Sequence, residues 1–196
     1  MTTEYRGRAL VVAIEPLKEG DAIVTLFTGD LGLVKAKVVS FRTMRSRLRL
    51  HLSLGSLTDV ILVNGYDFYR LKGSIEDSAS RPVLKVVEKV SLLGQILTLL
   101  ERYLHGPLPA PYLYEATLDL YQLLSDLNLE QLRQLSSRIL VAYHLALFYE
   151  LGYQPKLSFW SGEEPVNFRE LVKQLVPLPN LQEAQNFLKN NLEILP

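Results

Sequence analysis

The spacing of apolar residues changes once along this chain, at residues 80–82, and this change limits the folds open to it. Before it, apolar and polar residues alternate as in strands, and after it apolar residues recur every three or four positions as in helices. The chain has 196 residues, 48% of them apolar and 21% charged, which argues against disorder. We therefore predict an α+β protein with a β-rich domain at 1–80 and an all-α domain at 81–196.

Strand-forming segments bounded by turn residues fill the first domain. Gly32, after Gly29 and Asp30, permits a tight turn, and Asn64 with Gly65 suits a two-residue hairpin that would pair the last two strands antiparallel. Five short strands with one long connection, residues 40–55, fit a small closed barrel. The oligonucleotide-binding (OB) fold is the commonest five-stranded form, and an SH3-like barrel is the alternative. The predicted strands are 8–15, 21–28, 33–39, 56–64 and 66–75.

Helical periodicity fills the second domain. Pro82 suits a first helical turn, and an apolar stripe runs from Val83 to Leu104, which predicts one continuous helix. Asn167 and Asn180 each stand three residues before an acid, as helix N-caps do, and Gly152 suits the end of a helix. The predicted helices are three central ones within 82–152 (82–104, 111–125 and 129–151) and two short ones near 167–176 and 180–193.

The composition excludes several classes of protein. The chain has no cysteine, which removes disulfides, thiolate zinc sites and cysteine nucleophiles. The longest apolar stretches, residues 90–100 and 139–151, fall short of the roughly 20 residues that a membrane span needs. The N-terminus does not read as a secretory signal. We expect a cytoplasmic protein with no membrane contact and no cofactor.

Catalytic signatures are also missing from the sequence. His51, His105 and His144 do not share a metal-ligand spacing, and no Gly-x-Ser-x-Gly elbow, Walker loop or Gly-x-Gly-x-x-Gly motif occurs. The apolar surroundings of His144 favour a hydrogen-bonded helix histidine over a general base. The sequence therefore predicts a protein that is not an enzyme and takes no small-molecule substrate.

A basic stretch is the strongest functional signal. The chain has 21 basic and 21 acidic residues, yet residues 31–58 contain six bases and no acid. Strand alternation places Lys35 and Lys37 on one face, and phosphate binding needs several cations on one surface. Phe41, beside Arg42, is either a stacking surface for an unpaired base or a plug in the barrel mouth. The six cations are Lys35, Lys37, Arg42, Arg45, Arg47 and Arg49.

Tyrosines on the second and third helices give a weaker signal. Tyrosine at a groove edge is typical of protein docking, whereas packing in the core is the simpler interpretation of each one. These residues are Tyr112, Tyr114, Tyr121, Tyr143 and Tyr149.

Four segments resemble the RecO family of DNA repair and recombination mediators in their residues, their order and their spacing. They are residues 19–28 (EGDAIVTLFT), 31–36 (LGLVKA), 45–49 (RSRLR) and 145–157 (LALFYELGYQPKL). The resemblance implies an OB-fold domain that binds single- and double-stranded DNA, joined to a helical domain. It also implies strand annealing, recombinase loading with a partner called RecR, and action on single-stranded DNA-binding protein, without an enzymatic active site.

The family's DNA-contacting surface falls here on the six cations and, more loosely, on Arg6 and Arg8. The sequence departs from many family members at residues 158–161 (SFWS), where the first Cys-x-x-Cys of a zinc module would stand. This departure and the zero net charge motivate one rival interpretation, a helical protein-interaction scaffold with weak or no DNA binding.

Overall fold

The computed structural model of the protein describes residues 4–41, 51–161 and 165–191. Contacts divide the chain into two compact units, Met1–Pro111 and Tyr112–Pro196. The division falls later than the change in apolar spacing because helix residues 81–103 belong to the first unit. No helix in the described ranges is long and apolar enough to cross a membrane.

A closed five-stranded barrel forms most of the first unit. The strand order around the barrel is β1-β2-β3-β5-β4, and every pairing is antiparallel except the parallel contact of β3 with β5. This arrangement confirms the OB fold and sets aside the SH3-like alternative. The strands are β1 (Glu4–Pro16), β2 (Ala22–Thr28), β3 (Gly32–Val38), β4 (Leu57–Val63) and β5 (Tyr69–Glu76).

Alternation along the strands builds the barrel core. Val24 and Leu26 of β2, Ala36 of β3 and Leu62 of β4 point inward and are buried in one apolar cluster. The register of β2 with β3 is regular along their whole length, from Ala22↔Val38 to Thr28↔Gly32. Because side chains alternate between faces, this register also fixes which residues of both strands face outward together.

The predicted two-residue hairpin at Asn64-Gly65 is wrong. Strands β4 and β5 are antiparallel, but five residues, 64–68, join them because β5 begins only at Tyr69. Gly65 does not have a positive φ. It is needed for space instead, since a Cβ there would lie 2.1 Å from the carbonyl oxygen of Phe68.

The helix predicted from Pro82 is two helices, α1 (Arg81–Leu84) and α2 (Val87–Tyr103). Val86 between them has an extended backbone, with φ −114° and ψ 117°, and so stops the first helix. The apolar stripe continues across this break, which is why spacing alone did not show it. Leu93 and Leu100 of α2 are buried in the first unit.

The second unit contains four helices among its described residues. They are α3 (Pro111–Asp126), α4 (Leu129–Glu150), α5 (Phe168–Gln174) and α6 (Leu178–Asn191). Helix α4 packs against α5 and α6, and Tyr143 and Phe148 on it are fully buried. Tyr114 and Tyr121 are buried too, so core packing describes three of the five tyrosines. Tyr112 and Tyr149 are partly buried and contact each other edge to face.

Helix ends in this unit follow the predicted chemistry in two cases of three. Gly152 has φ 87°, and the N–H of Tyr153 donates to the carbonyl of Phe148 in a Schellman end. The Asn167 side chain accepts hydrogen bonds from the first turn of α5. The N-cap predicted at Asn180 is wrong, because α6 begins at Leu178 and the Asn180 amide donates to the carbonyl of Gln174.

Candidate nucleic-acid interface

Lys35 and Lys37 lie together on the outer face of β3. Their strand neighbours Val34, Ala36 and Val38 are buried in the barrel, as the alternation predicts. Both ammonium groups therefore project from the wall of the barrel, two residues apart along one strand.

Each of these lysines contacts a carboxylate. The Lys35 Nζ lies 3.1 Å from a carboxylate oxygen of Glu15, and the Lys37 Nζ lies 3.1 Å from a carboxylate oxygen of Asp21. An ion pair as exposed as that of Lys35 with Glu15 adds little to stability. A phosphate group could therefore replace Glu15 at little cost in stability.

Asp21 also holds the start of the basic stretch. Its carboxylate accepts a hydrogen bond of 2.8 Å from the backbone N–H of Ser40, which has φ 55°. This bond and the contact with Lys37 lower the pKa of Asp21. The carboxylate stays ionised at neutral pH and fixes the point where the chain leaves β3.

Arg42, Arg45, Arg47 and Arg49 lie outside the described residues. The nearest core residues before and after their segment are Phe41 and Leu52. Phe41 is 8% exposed and Leu52 is 2% exposed, and the two share one apolar cluster. The described chain thus packs into the barrel on both sides of these arginines. The burial of Phe41 agrees with a plug in the barrel rather than a stacking surface. A base could stack on the Phe41 ring only if the ring left the core.

Arg6 and Arg8 lie on β1, where each contacts acids. The Arg6 Nε donates to Glu4 at 2.8 Å, and the Arg8 Nε lies 3.1 Å from Asp77 and 3.9 Å from Asp59. Strand β2 lies between β1 and β3 in the barrel. The structure therefore does not bring these arginines beside Lys35 and Lys37.

Two cations that the sequence analysis did not single out lie on β5. Arg70 is paired in the strand register with Lys37, and Lys72 follows two residues later; both are exposed. Neither has an ion-pair partner among the described residues. Their alternation was visible in the sequence, but their position beside Lys37 depends on the parallel β3–β5 contact, which local patterns do not encode.

The loop between β4 and β5 carries exposed aromatic rings next to these cations. The Tyr66 side chain is fully exposed, and Phe68 is 42% exposed. In OB folds the outer face of strands 2 and 3 and the loop between strands 4 and 5 form the usual ligand surface. The outer face of β3, the start of β5 and this loop together make a basic and aromatic surface.

Comparison with known proteins gives the family that the barrel region matches. Residues 1–78 match a family model described as "Recombination protein O N terminal". Over 71 residues the chain is 34% identical to "DNA repair protein RecO" of Dehalococcoides mccartyi and 31% identical to the protein of the same description from Gloeothece citriformis. Each alignment covers 36% of this chain, and 28% and 25% of the two relatives. The matched region is thus about a quarter of the length of these relatives and corresponds to the barrel.

Proposed function

Taking the match of residues 1–78 as membership of the RecO family, we propose a function for this chain. We propose that it is a non-enzymatic DNA-binding protein of recombinational repair. The proposed surface binds single- and double-stranded DNA through Lys35, Lys37, Arg42, Arg45, Arg47 and Arg49. Its proposed roles are strand annealing and recombinase loading, with RecR and single-stranded DNA-binding protein as partners.

The observation that carries the proposal is the position on the barrel of the described cations of the acid-free stretch. Lys35 and Lys37 share one outer face, and Phe41 and Leu52, the core residues nearest in sequence to the four arginines, lie in one apolar cluster. Arg70 adds a further cation beside Lys37. Such a concentration of positive charge is the electrostatic requirement for binding a phosphate backbone.

Arg6 and Arg8 have a secondary role in this proposal. They lie on a different strand and are matched by nearby acids, so they would contact DNA only where it continues round the barrel towards β1. Their removal should weaken binding less than removal of the arginines between residues 42 and 50.

Reversal of Arg45, Arg47 and Arg49 to Glu in the full chain tests the proposal. We expect most single-strand affinity to be lost. The slope of log affinity against log salt should become shallower by about 2, at ~0.7 per phosphate contact on a single strand. The measurement is fluorescence anisotropy with a labelled oligonucleotide across a salt series.

Lys156, Lys173 and Lys189 reversed to Glu make the matched control. They are exposed, lie in the second unit and produce the same change in net charge. This control should retain most of the affinity. Equal losses in both variants would show that net charge alone matters, and no binding by the unmodified chain would favour the protein-interaction scaffold.

A further inference from the structure

A cavity of about 470 Å³ lies on the outer wall of the barrel. It opens between β2 and β3 on one side and residues 104–107, which follow α2, on the other, all within the first unit. A single water takes about 30 Å³ of liquid volume, and small-molecule sites run from roughly 300 to 1,000 Å³. The cavity is therefore large enough for an organic ligand. Its lining includes Thr25, Lys35, Asp67, Phe68, Tyr69 and Glu101.

Thr25 supplies an unused polar group in this lining. Its neighbours Val24 and Leu26 point into the barrel core, so the side chain of Thr25 faces the outer wall. The residue is only 2% exposed, and its Oγ1 has no hydrogen-bond partner in the described part of the chain. A buried hydroxyl without a partner destabilises the fold, because it has lost its hydration without gaining a hydrogen bond. A ligand that reaches this hydroxyl through the cavity with a donor or acceptor on its edge would remove that cost.

Aromatic and cationic groups surround this hydroxyl. Phe68 and Tyr69 form part of the wall, and Phe68 is 42% exposed. Lys35 is the direct cross-strand partner of Thr25, so its side chain lies on the same face. A flat ring could thus stack on an aromatic wall while a phosphate attached to it stays near Lys35.

The acids in the lining indicate whether the cavity suits the phosphate or the base of a nucleotide. Asp67 and Glu101 both line the cavity and would repel a phosphate inside it. Carboxylates and hydroxyls instead accept hydrogen bonds from the amino and imino groups on the edge of a base. The cavity therefore suits an uncharged aromatic heterocycle, with the charged backbone left outside at the lysines.

We propose that this cavity accepts one unpaired nucleobase of a single strand that crosses β3, an inference that rests on the proposed function. Phe68 stacks on the base, the Thr25 hydroxyl bonds its edge, and Lys35 contacts its phosphate. In a duplex the bases are paired and stacked, and the extrusion of one base has a free-energy cost. The cavity consequently gives the chain a preference for single strands that the basic surface alone does not provide.

Two substitutions in the full chain test the cavity. Phe68→Ala removes the stacking wall and should weaken single-strand binding by roughly 5- to 150-fold, the range measured for loss of one stacked base. Thr25→Val keeps the shape and removes the hydroxyl; it should weaken single-strand binding several-fold without lowering the unfolding temperature. Duplex affinity of both variants should stay within about twofold of the unmodified chain, since the lysines and arginines are intact.

Ile75→Ala is the matched control, because Ile75 is an exposed apolar side chain on β5 that does not line this cavity. A strand containing 2-aminopurine gives a local readout, since stacking should quench its fluorescence in the unmodified chain and in Ile75→Ala but not in Phe68→Ala. If Phe68→Ala and Thr25→Val bind single strands normally while the unmodified chain binds DNA, the cavity inference is wrong and the proposed function stands. An unmodified chain that binds neither form of DNA overturns both.

Discussion

His144 shows how one partly buried side chain couples the stability of the second unit to pH. Its Nδ1 lies 2.8 Å from the carbonyl oxygen of Leu140. A carbonyl oxygen only accepts, so the neutral ring carries its proton on Nδ1. Burial lowers the pKa of His144 from its ordinary value of 6.5 because a charged imidazolium would lose its hydration. The hydrogen-bonded helix histidine expected from the sequence is confirmed.

This lowered pKa predicts acid destabilisation. The folded state binds fewer protons than the unfolded state between the folded pKa and 6.5, so the free energy of unfolding falls as pH decreases through that window. The contribution is fully present above pH 6.5. One proton accounts for a slope of at most about 1.4 kcal/mol per pH unit. Denaturant unfolding at a series of pH values from neutral to mildly acidic measures it.

His144→Gln keeps a donor for Leu140 and removes the titrating group, so its slope in this window should be smaller. His105→Gln is the control, since His105 is exposed and lies in the first unit. An unchanged slope in His144→Gln would assign the acid sensitivity to other groups.

For the basic residues, the sequence predicted which strand face they occupy but not which residues they contact. Alternation predicted that Lys35 and Lys37 share a face, because side-chain direction in a strand is set locally. Their contacts with Glu15 and Asp21 depend on β1 and the turn before β2 coming beside β3, and no local pattern encodes that. For the same reason the sequence showed Thr25 only as an ordinary strand residue and did not show that its hydroxyl lacks a hydrogen-bond partner among the described residues.

At the scale of elements, the β2–β3 turn depends on one glycine. Gly32 has φ 66°, and a Cβ there would lie 1.9 Å from the carbonyl oxygen of Leu108, which packs over the turn. The N–H of Ala110 also donates to the carbonyl of Gly29 in the same turn. The sequence predicted the tight turn but not the segment that covers it.

Gly32→Ala should therefore destabilise the first unit by on the order of 1–3 kcal/mol, from the left-handed backbone together with the steric overlap. Gly94→Ala is a control of opposite sign. Gly94 lies inside α2, and a Cβ added there would have no neighbour within 4 Å. Alanine should therefore stabilise the first unit by roughly 0.5–1 kcal/mol. Thermal unfolding followed by circular dichroism compares them. A neutral Gly32→Ala would mean that the turn and residue 108 separate easily.

Turn chemistry and helix caps also separate what local patterns can predict from what they cannot. Strand and helix identities came from spacing, and Gly152 and Asn167 act as predicted because their roles need only neighbouring backbone groups. The hairpin at Asn64 failed because the strand pairing begins farther along β5. The parallel β3–β5 contact, which brings Arg70 beside Lys37, is a property of the closed barrel.

At the scale of the whole molecule, the division between units does not follow the change from strands to helices. Helix α2 lies in the first unit, where a Cβ on Gly55 would meet the side chain of Leu93 at 2.7 Å. Apolar spacing reports which face of α2 is buried but not what covers it. The domain boundary after residue 80 was therefore the least constrained part of the sequence interpretation.

A fragment of residues 1–111 should accordingly unfold cooperatively, whereas residues 1–80 should be much less stable because the surface under α2 becomes exposed. Thermal melts of both fragments and the full chain measure the difference. Equal melting temperatures for the two fragments would show that the barrel is independent of α2, in agreement with a domain boundary at residue 80.

The burial of Phe41 and Leu52 sets a limit on how far the arginines between them can reach. Eleven peptide steps separate these two residues, and a fully extended chain spans at most ~3.6 Å per residue, so the midpoint of a segment fixed at both ends stays within roughly 20 Å of its anchors. That distance corresponds to about six base pairs at 3.4 Å each. In the proposed function, these arginines would therefore extend the contact with a duplex beyond the barrel by no more than this short margin.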